Sequence, residues 1–116
     1  MKKALIYASV ASMIQQFNMN NIRLLLNLNY QVDVACNFEF GSTITTDKIE
    51  QLKGELTNLG VHYYHIPVPR KISDIYHLKT SYKKTIDLMN RENYDLIHCH
   101  SPIGGIICRM ANHKSH

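Results

Sequence analysis

Tyr94-Asp95-Leu96-Ile97-His98-Cys99-His100-Ser101-Pro102-Ile103-Gly104-Gly105 is the stretch on which the fold turns. An apolar run of strand length ends in two histidines and passes through Ser-Pro into small and aliphatic residues. That is the order expected of a buried strand turning into a helix. In open α/β sheets ligands bind beyond the carboxyl ends of the strands, so imidazoles released at that edge are placed for chemistry on a bound molecule.

Upstream of this block, short apolar runs alternate with helical periodicity. Residues 4–8 predict a first strand, after which Ile14, Phe17, Leu24, Leu25 and Leu28 recur at helical spacing until Asn29-Tyr30. Residues 32–36 predict a second strand and 37–46 a loop. Asp47 with Glu50 reads as a capping box for a helix whose Ile49, Leu52, Leu56 and Leu59 share a face, and Gly60 suits its end. Residues 61–66 form the third strand, and Pro67 and Pro69 keep the following connection extended. Ser73 or Asp74 can cap a third helix with Leu78, Tyr82, Ile86 and Met89 on its buried side, before residues 96–99 close the set as strand four.

Strands alternating with helices imply an α/β fold: a Rossmann-like, three-layer α/β/α domain with a parallel sheet of about four strands. Right-handed crossovers give the order 3-2-1-4. With 116 residues and 45% hydrophobic content, one domain accounts for the chain. In that topology the loop after strand one, Ser9-Val10-Ala11-Ser12, and the loop after strand four flank the same switch point.

Several functions are disfavoured. A dinucleotide site needs glycines after strand one, and a P-loop needs its lysine motif; the first loop has neither, and Cys36-Asn37 stands where a ribose-binding acid would end strand two. Strand one ends in Ala8-Ser9 without the acids that hold magnesium in a receiver domain. No cofactor is therefore expected. His98, Cys99, His100, Cys108, His113 and His116 imitate a zinc site, but alternation along a strand sends Cys99 to the face opposite His98 and His100, so no metal is expected. The three cysteines, Cys36, Cys99 and Cys108, lie among apolar neighbours and read as reduced core residues of a cytoplasmic protein. Met1-Lys2-Lys3 and the run after it imitate a signal peptide, yet Tyr7 and Ser9 break the run and an amphipathic pattern follows, which favours a first strand. The charge of +4 gathers at Arg70, Lys71, Lys79, Lys83 and Lys84, which fits either an anionic partner or a solvated helix face. Nucleic acid is not among the partners expected.

The chain resembles the N-terminal half of GT-B glycosyltransferases of the retaining, glycogen-synthase-like group, especially bacterial enzymes of capsule and exopolysaccharide synthesis. The resemblance rests on Lys3-Ala4-Leu5-Ile6-Tyr7-Ala8-Ser9-Val10, on Leu28-Asn29-Tyr30-Gln31-Val32-Asp33-Val34-Ala35, and above all on residues 94–105 followed by Arg109. It implies transfer of a sugar from a nucleotide-diphosphate donor to an acceptor, often lipid-linked, at the cytoplasmic membrane surface. It further implies that His100, the second histidine of the family's H-x-H pattern, lies close to the reacting sugar, with His98 more structural. Ser9, Ser12, Ser101, Gly104, Gly105 and Arg109 are the other candidates for substrate contact. A strand-end histidine bonded to backbone, and close helix-to-strand packing at Gly104-Gly105, are the plain alternatives. The chain departs from the family in its glycine-free first loop and in Asn18, where many relatives carry histidine.

The family's nucleotide-sugar domain has no counterpart here, so the chain is expected to be incomplete as an enzyme. Ile103, Ile106, Ile107 and Met110 begin an apolar helix face, and strand four is left as a sheet edge open to a further strand or to a second copy. The alternative to an enzyme fragment is a stand-alone Rossmann-like binding subunit that works with a separate nucleotide-sugar-binding chain.

Overall fold

The computed structural model describes residues 2–39, 44–69, 71, 73–100, 106–107 and 109–110, with Phe17 and His100 described by backbone alone. Its elements run β1 (Lys3–Val10), α1 (Ala11–Met13), a π-helical turn (Ile14–Asn18), α2 (Met19–Asn27), β2 (Gln31–Asn37), α3 (Thr46–Asn58), β3 (His62–His65), α4 (Ile75–Glu92) and β4 (Leu96–His100). The four strands form one parallel sheet in the order β3-β2-β1-β4, the order expected from the crossovers. The result is a Rossmann-like α/β fold.

β1 is central, and Ala4, Leu5, Ile6, Tyr7 and Ala8 are all fully buried. That explains a continuous apolar run instead of alternation: both faces of a parallel strand are covered. On one face Ile6 and Ala8 join Val32, Val34 and Cys36 of β2, packed against Met19 and Ile22 of α2 and Ile49, Leu52 and Leu56 of α3. On the other, Leu5, Tyr7 and Ala35 meet Leu88 and Met89 of α4, Tyr94 and Ile107. The Tyr7 hydroxyl is kept paired there, 2.7 Å from Thr85 Oγ1, whose own hydroxyl reaches the Ser81 carbonyl at 2.6 Å.

Three local expectations are corrected. First, Leu24 and Leu28 do not lie on the buried stripe; they are 56% and 60% exposed. The π-helical turn holds about one residue more than an α-turn, so everything after it is rotated by roughly 100° and Met19 and Ile22 point inward instead. Second, the cap of α3 is Thr45, whose hydroxyl accepts from the Lys48 amide at 3.3 Å. Asp47 falls inside the first turn, where its charge complements the helix dipole. Third, the deepest residues of α4 are Ser81, Thr85, Leu88 and Met89, with Leu78, Tyr82 and Ile86 only partly buried on the flank.

Other termini follow the expected chemistry. Asp74 caps α4, accepting from the His77 amide at 3.3 Å and meeting His77 Nδ1 at 2.8 Å. Gly60 ends α3 with a φ of 77°, and Asn29 and Asn93 close α2 and α4 at φ 65° and 53°, a conformation asparagine tolerates better than most residues. Cys36 is buried and Cys99 partly so, as core residues; Cys108 lies outside the described residues. No helix among the described residues is long and apolar enough to cross a membrane.

Candidate functional site

The switch point of the sheet lies between β1 and β4, which are direct neighbours although their sequences are remote. Ile6 pairs with His98 and Ala8 with His100, so the last residue of β4 lies beside the carboxyl end of β1. Against β2 the register of β1 slips between Tyr7 and Val10: Tyr7 pairs with Ala35 and Val10 with Asn37, leaving one extra residue on β1 in the Ala8-Ser9 region. Such a bulge bends a strand and re-aims its side chains, a device common beside binding sites. Ser9 lies within this irregular segment, near the carboxyl end of β1.

Ser9-Val10-Ala11-Ser12 is not a loop. β1 runs through Val10, which is still extended at φ −137° and ψ 158°, and helix begins at Ala11. The bulge supplies the bend that a glycine loop would otherwise make. The first-turn amides lack intrahelical acceptors and lie at the same edge as His100. Ser12 is 4% exposed, within α1.

Behind this edge the π-helical turn is held by Asn18. Fully buried, it donates from Nδ2 to the Met13 carbonyl at 2.9 Å and accepts from Asn21 Nδ2 at 3.3 Å. Asn37, equally buried at the end of β2, donates to the Val68 carbonyl at 3.2 Å and accepts from the Glu39 amide at 2.9 Å. It thus ties the ends of β2 and β3 together where a dinucleotide-binding protein would present an acid to ribose. His65 works beside it. Its Nδ1 accepts from the Phe38 amide at 3.1 Å, which puts the ring proton on Nε2, 3.0 Å from Glu39 Oε2. Burial pulls the His65 imidazole below its ordinary pKa, with Glu39 opposing. The sequence does not mark the buried asparagines as site-forming; only Asn37, directly after Val34-Ala35-Cys36, carries a local signal.

Of the candidates named from the sequence, the sheet brings Ser9, His98 and the backbone of His100 to one edge, with Ser12 at the start of α1. The His98 side chain is exposed. Arg109 is helical and exposed, and Ile107 beside it is buried in the core against α4, whereas Ile106 and Met110 are 49% and 54% exposed. Ser101, Gly104 and Gly105, with Pro102 and Ile103, lie outside the described residues.

Among the described residues, clefts lie along β3. One of about 250 Å³ lies between β3 and α4, lined by Tyr64, His65, Lys84, Asp87 and Arg91 among others. Another of about 480 Å³ lies at the start of β3 around Gly60, His62 and Tyr63. Both border the edge strand β3, away from the switch point, which stays the candidate site on topological grounds.

The fold defines a class, Rossmann-like α/β domains, in which the β1/β4 switch point is the candidate site, and comparisons with known proteins bear on it. No family model matches the chain. The chain is similar to a putative glycosyltransferase, EpsD of Bacillus subtilis strain 168, with 24% identity over 110 residues; the match covers 95% of this chain and 25% of that protein. The chain therefore spans about a quarter of that relative's length. Among solved structures it is similar to GalB, the 4-carboxy-2-hydroxymuconate hydratase of Pseudomonas putida KT2440, with a TM-score of 0.63 and 18% identity over 96% of this chain and 55% of that one. At that identity the likeness concerns the fold.

Proposed function

We propose that this chain is the acceptor-side, N-terminal domain of a GT-B glycosyltransferase of the retaining, glycogen-synthase-like group. In this reading it serves capsule or exopolysaccharide synthesis at the cytoplasmic face of the membrane. The observation that carries the proposal is the similarity to the putative glycosyltransferase EpsD along 95% of the chain. The hydratase neighbour shares the fold and, at 18% identity, does not argue for a shared reaction.

In this reading the acceptor, a saccharide on a polyprenyl carrier, lies in the crevice between the ends of β1 and β4. The donor, a sugar on a nucleoside diphosphate, is held by a second domain that faces it. His100 accepts or orients the acceptor hydroxyl, Ser9 and Ser12 contribute hydroxyls, and Ser101, Gly104, Gly105 and Arg109 are the further candidates for substrate contact. The outer edge of β4 takes the strand that continues the sheet. Without that strand the same edge pairs with a second copy.

Two measurements test this. Joined to a nucleotide-sugar-binding domain, the chain is expected to release nucleoside diphosphate from one member of a panel of nucleotide sugars when a lipid-linked acceptor is supplied. No turnover across the panel, with both domains folded, removes the reading. Alone at micromolar concentration, the chain is expected to sediment as a dimer, and a strict monomer contradicts pairing through β4.

A further inference from the structure

The cleft of about 250 Å³ between β3 and α4 gathers charged side chains that play no part at the switch point. Its apolar lining is Ile66 and Leu88, 2% and 3% exposed. Around them stand Tyr64 and His65 from β3 and Lys84, Asp87 and Arg91 from α4. The last three follow one another at intervals of three and four residues, so they share a face of the helix, and at that spacing opposite charges commonly pair. Here they do not. Lys84 and Asp87 form no ion pair among the described residues, and Arg91 turns instead to Glu92, its Nε donating to Oε2 at 3.3 Å. The Arg91 guanidinium also lies over the Tyr64 ring, 5.3 Å from its centre, which braces it against the β3 wall. Burial, with Asp33 and Glu92 adding and Arg91 opposing, raises the Tyr64 hydroxyl above its ordinary pKa, so it stays a donor at neutral pH.

These parts suit one kind of ligand. Lys84 and Arg91 are two helical turns apart, about 10 Å along the axis, too far for both to hold a single inorganic anion. An apolar floor with hydrogen-bonding walls matches a sugar ring, whose C–H face is apolar and whose rim carries hydroxyls. Asp87, between the cations, can accept from such hydroxyls, while anionic groups of the ligand meet the ammonium and the guanidinium. An apolar ligand would leave three charges without use, and a bare polyanion would be repelled by Asp87. We infer that the cleft between β3 and α4 binds a short acidic saccharide, its hydroxyls on Asp87 and its carboxylate or phosphate groups on Lys84 and Arg91. The choice of a saccharide over other hydroxylated anions rests on the proposed glycosyltransferase function, under which the cleft holds a part of the acceptor or product remote from the reacting end. β3 is separated from the β1/β4 boundary by roughly 12 Å across the sheet, so the two sites are distinct.

The test is titration of the full chain with trigalacturonate, phosphorylated maltotriose and neutral maltotriose at constant ionic strength, followed by amide NMR shifts. At least one acidic trisaccharide is expected to saturate, perturbing amides at 64–66 and 84–91, and the one that binds identifies the anionic group. R91Q should weaken binding about 10-fold or more and K84Q several-fold, since each loses a charge-assisted bond. D87A divides a saccharide site from a patch of positive charge. It removes a negative charge beside an anionic ligand, so a bare patch gains affinity, whereas loss of the hydroxyl acceptor weakens binding several-fold. K48Q, on α3, should bind as the parent does. No saturation by either acidic trisaccharide, equal binding of neutral maltotriose, unchanged or tighter binding by D87A, or displacement by inorganic phosphate at the same ionic strength would overturn the inference. A retained amide spectrum outside the cleft shows each variant to be folded. Binding is read on the chain without turnover, so its failure leaves sugar transfer at the switch point standing, and a failure of transfer leaves the binding result intact.

Discussion

Tyr94→Phe should destabilise the fold by about 3 kcal/mol at neutral pH, far more than deletion of one oxygen from an exposed tyrosine. Asp33 sits on β2 facing α4, only 1% exposed, and its Oδ2 accepts from the Tyr94 hydroxyl at 2.6 Å. Among the described residues its Oδ1 has no hydrogen bond; His62, on the paired residue of β3, places Nδ1 3.7 Å away. Removing the Tyr94 hydroxyl leaves a carboxylate in the core interface with neither oxygen bonded. Burial raises the Asp33 pKa above its ordinary value of 3.8, with the Tyr94 bond and then His62 pulling the other way. Tyr94 is itself pushed well up, by burial and by Asp33, so it stays a donor throughout. Because the folded-state value lies above the unfolded one, ionised Asp33 weighs against folding at neutral pH, and that burden lifts as pH falls through the raised value toward 3.8.

The expectation is specific. In urea denaturation, Tyr94→Phe should lose most at pH 7 and distinctly less near pH 4, where a protonated Asp33 no longer demands a donor. Asp33→Asn, which can still accept from Tyr94, should match or exceed the parent at pH 7 and lose that advantage in acid. Equal losses for Tyr94→Phe at both pH values, or an Asp33→Asn penalty as large as that of Tyr94→Phe, would contradict this account.

The sheet could be read from the sequence because both its signals are covalent and local. Residues 4–8 are apolar without interruption, residues 32–36 and 96–99 are mostly apolar with Asp33 and His98 as exceptions, and handedness then leaves one order for the strands. What escaped the reading was a matter of phase. One π-helical turn at Ile14–Asn18 turned Leu24 and Leu28 outward, and one extra residue near Ser9 re-aimed the end of β1. Neither leaves a compositional mark, because both depend on how buried polar groups such as Asn18 find partners in three dimensions. The Asp33–Tyr94 pair was hidden for the same reason: sixty-one positions separate two residues that only the sheet brings together. In the site, the adjacency of β1 and β4 was legible from topology, and the absence of a glycine loop was visible too. Its replacement by a bulge that runs straight into helix was not.

That adjacency sets up the prediction that bears most directly on chemistry. Under the proposed function, in the chain joined to a nucleotide-sugar-binding domain, His100→Ala should lower kcat by about 100-fold or more with little change in KM, because an imidazole that accepts a proton or orients a hydroxyl acts mainly as the transition state forms. His100 ends β4 with its backbone paired to Ala8 of the buried central strand. Truncation at a strand end should therefore leave the fold intact, and the thermal midpoint should move little. His98→Ala is the internal comparison. It lies two residues earlier, opposite Ile6 and exposed, one step back from the rim, and should cost only a few-fold. His100→Gln, which keeps a hydrogen-bonding group without a basic nitrogen, divides the two possible roles: recovery of most of the rate assigns orientation, and a rate as low as alanine's assigns proton transfer. Equal effects at 98 and 100, or a full rate for His100→Ala, would take the imidazole out of the mechanism and leave the crevice as a binding surface.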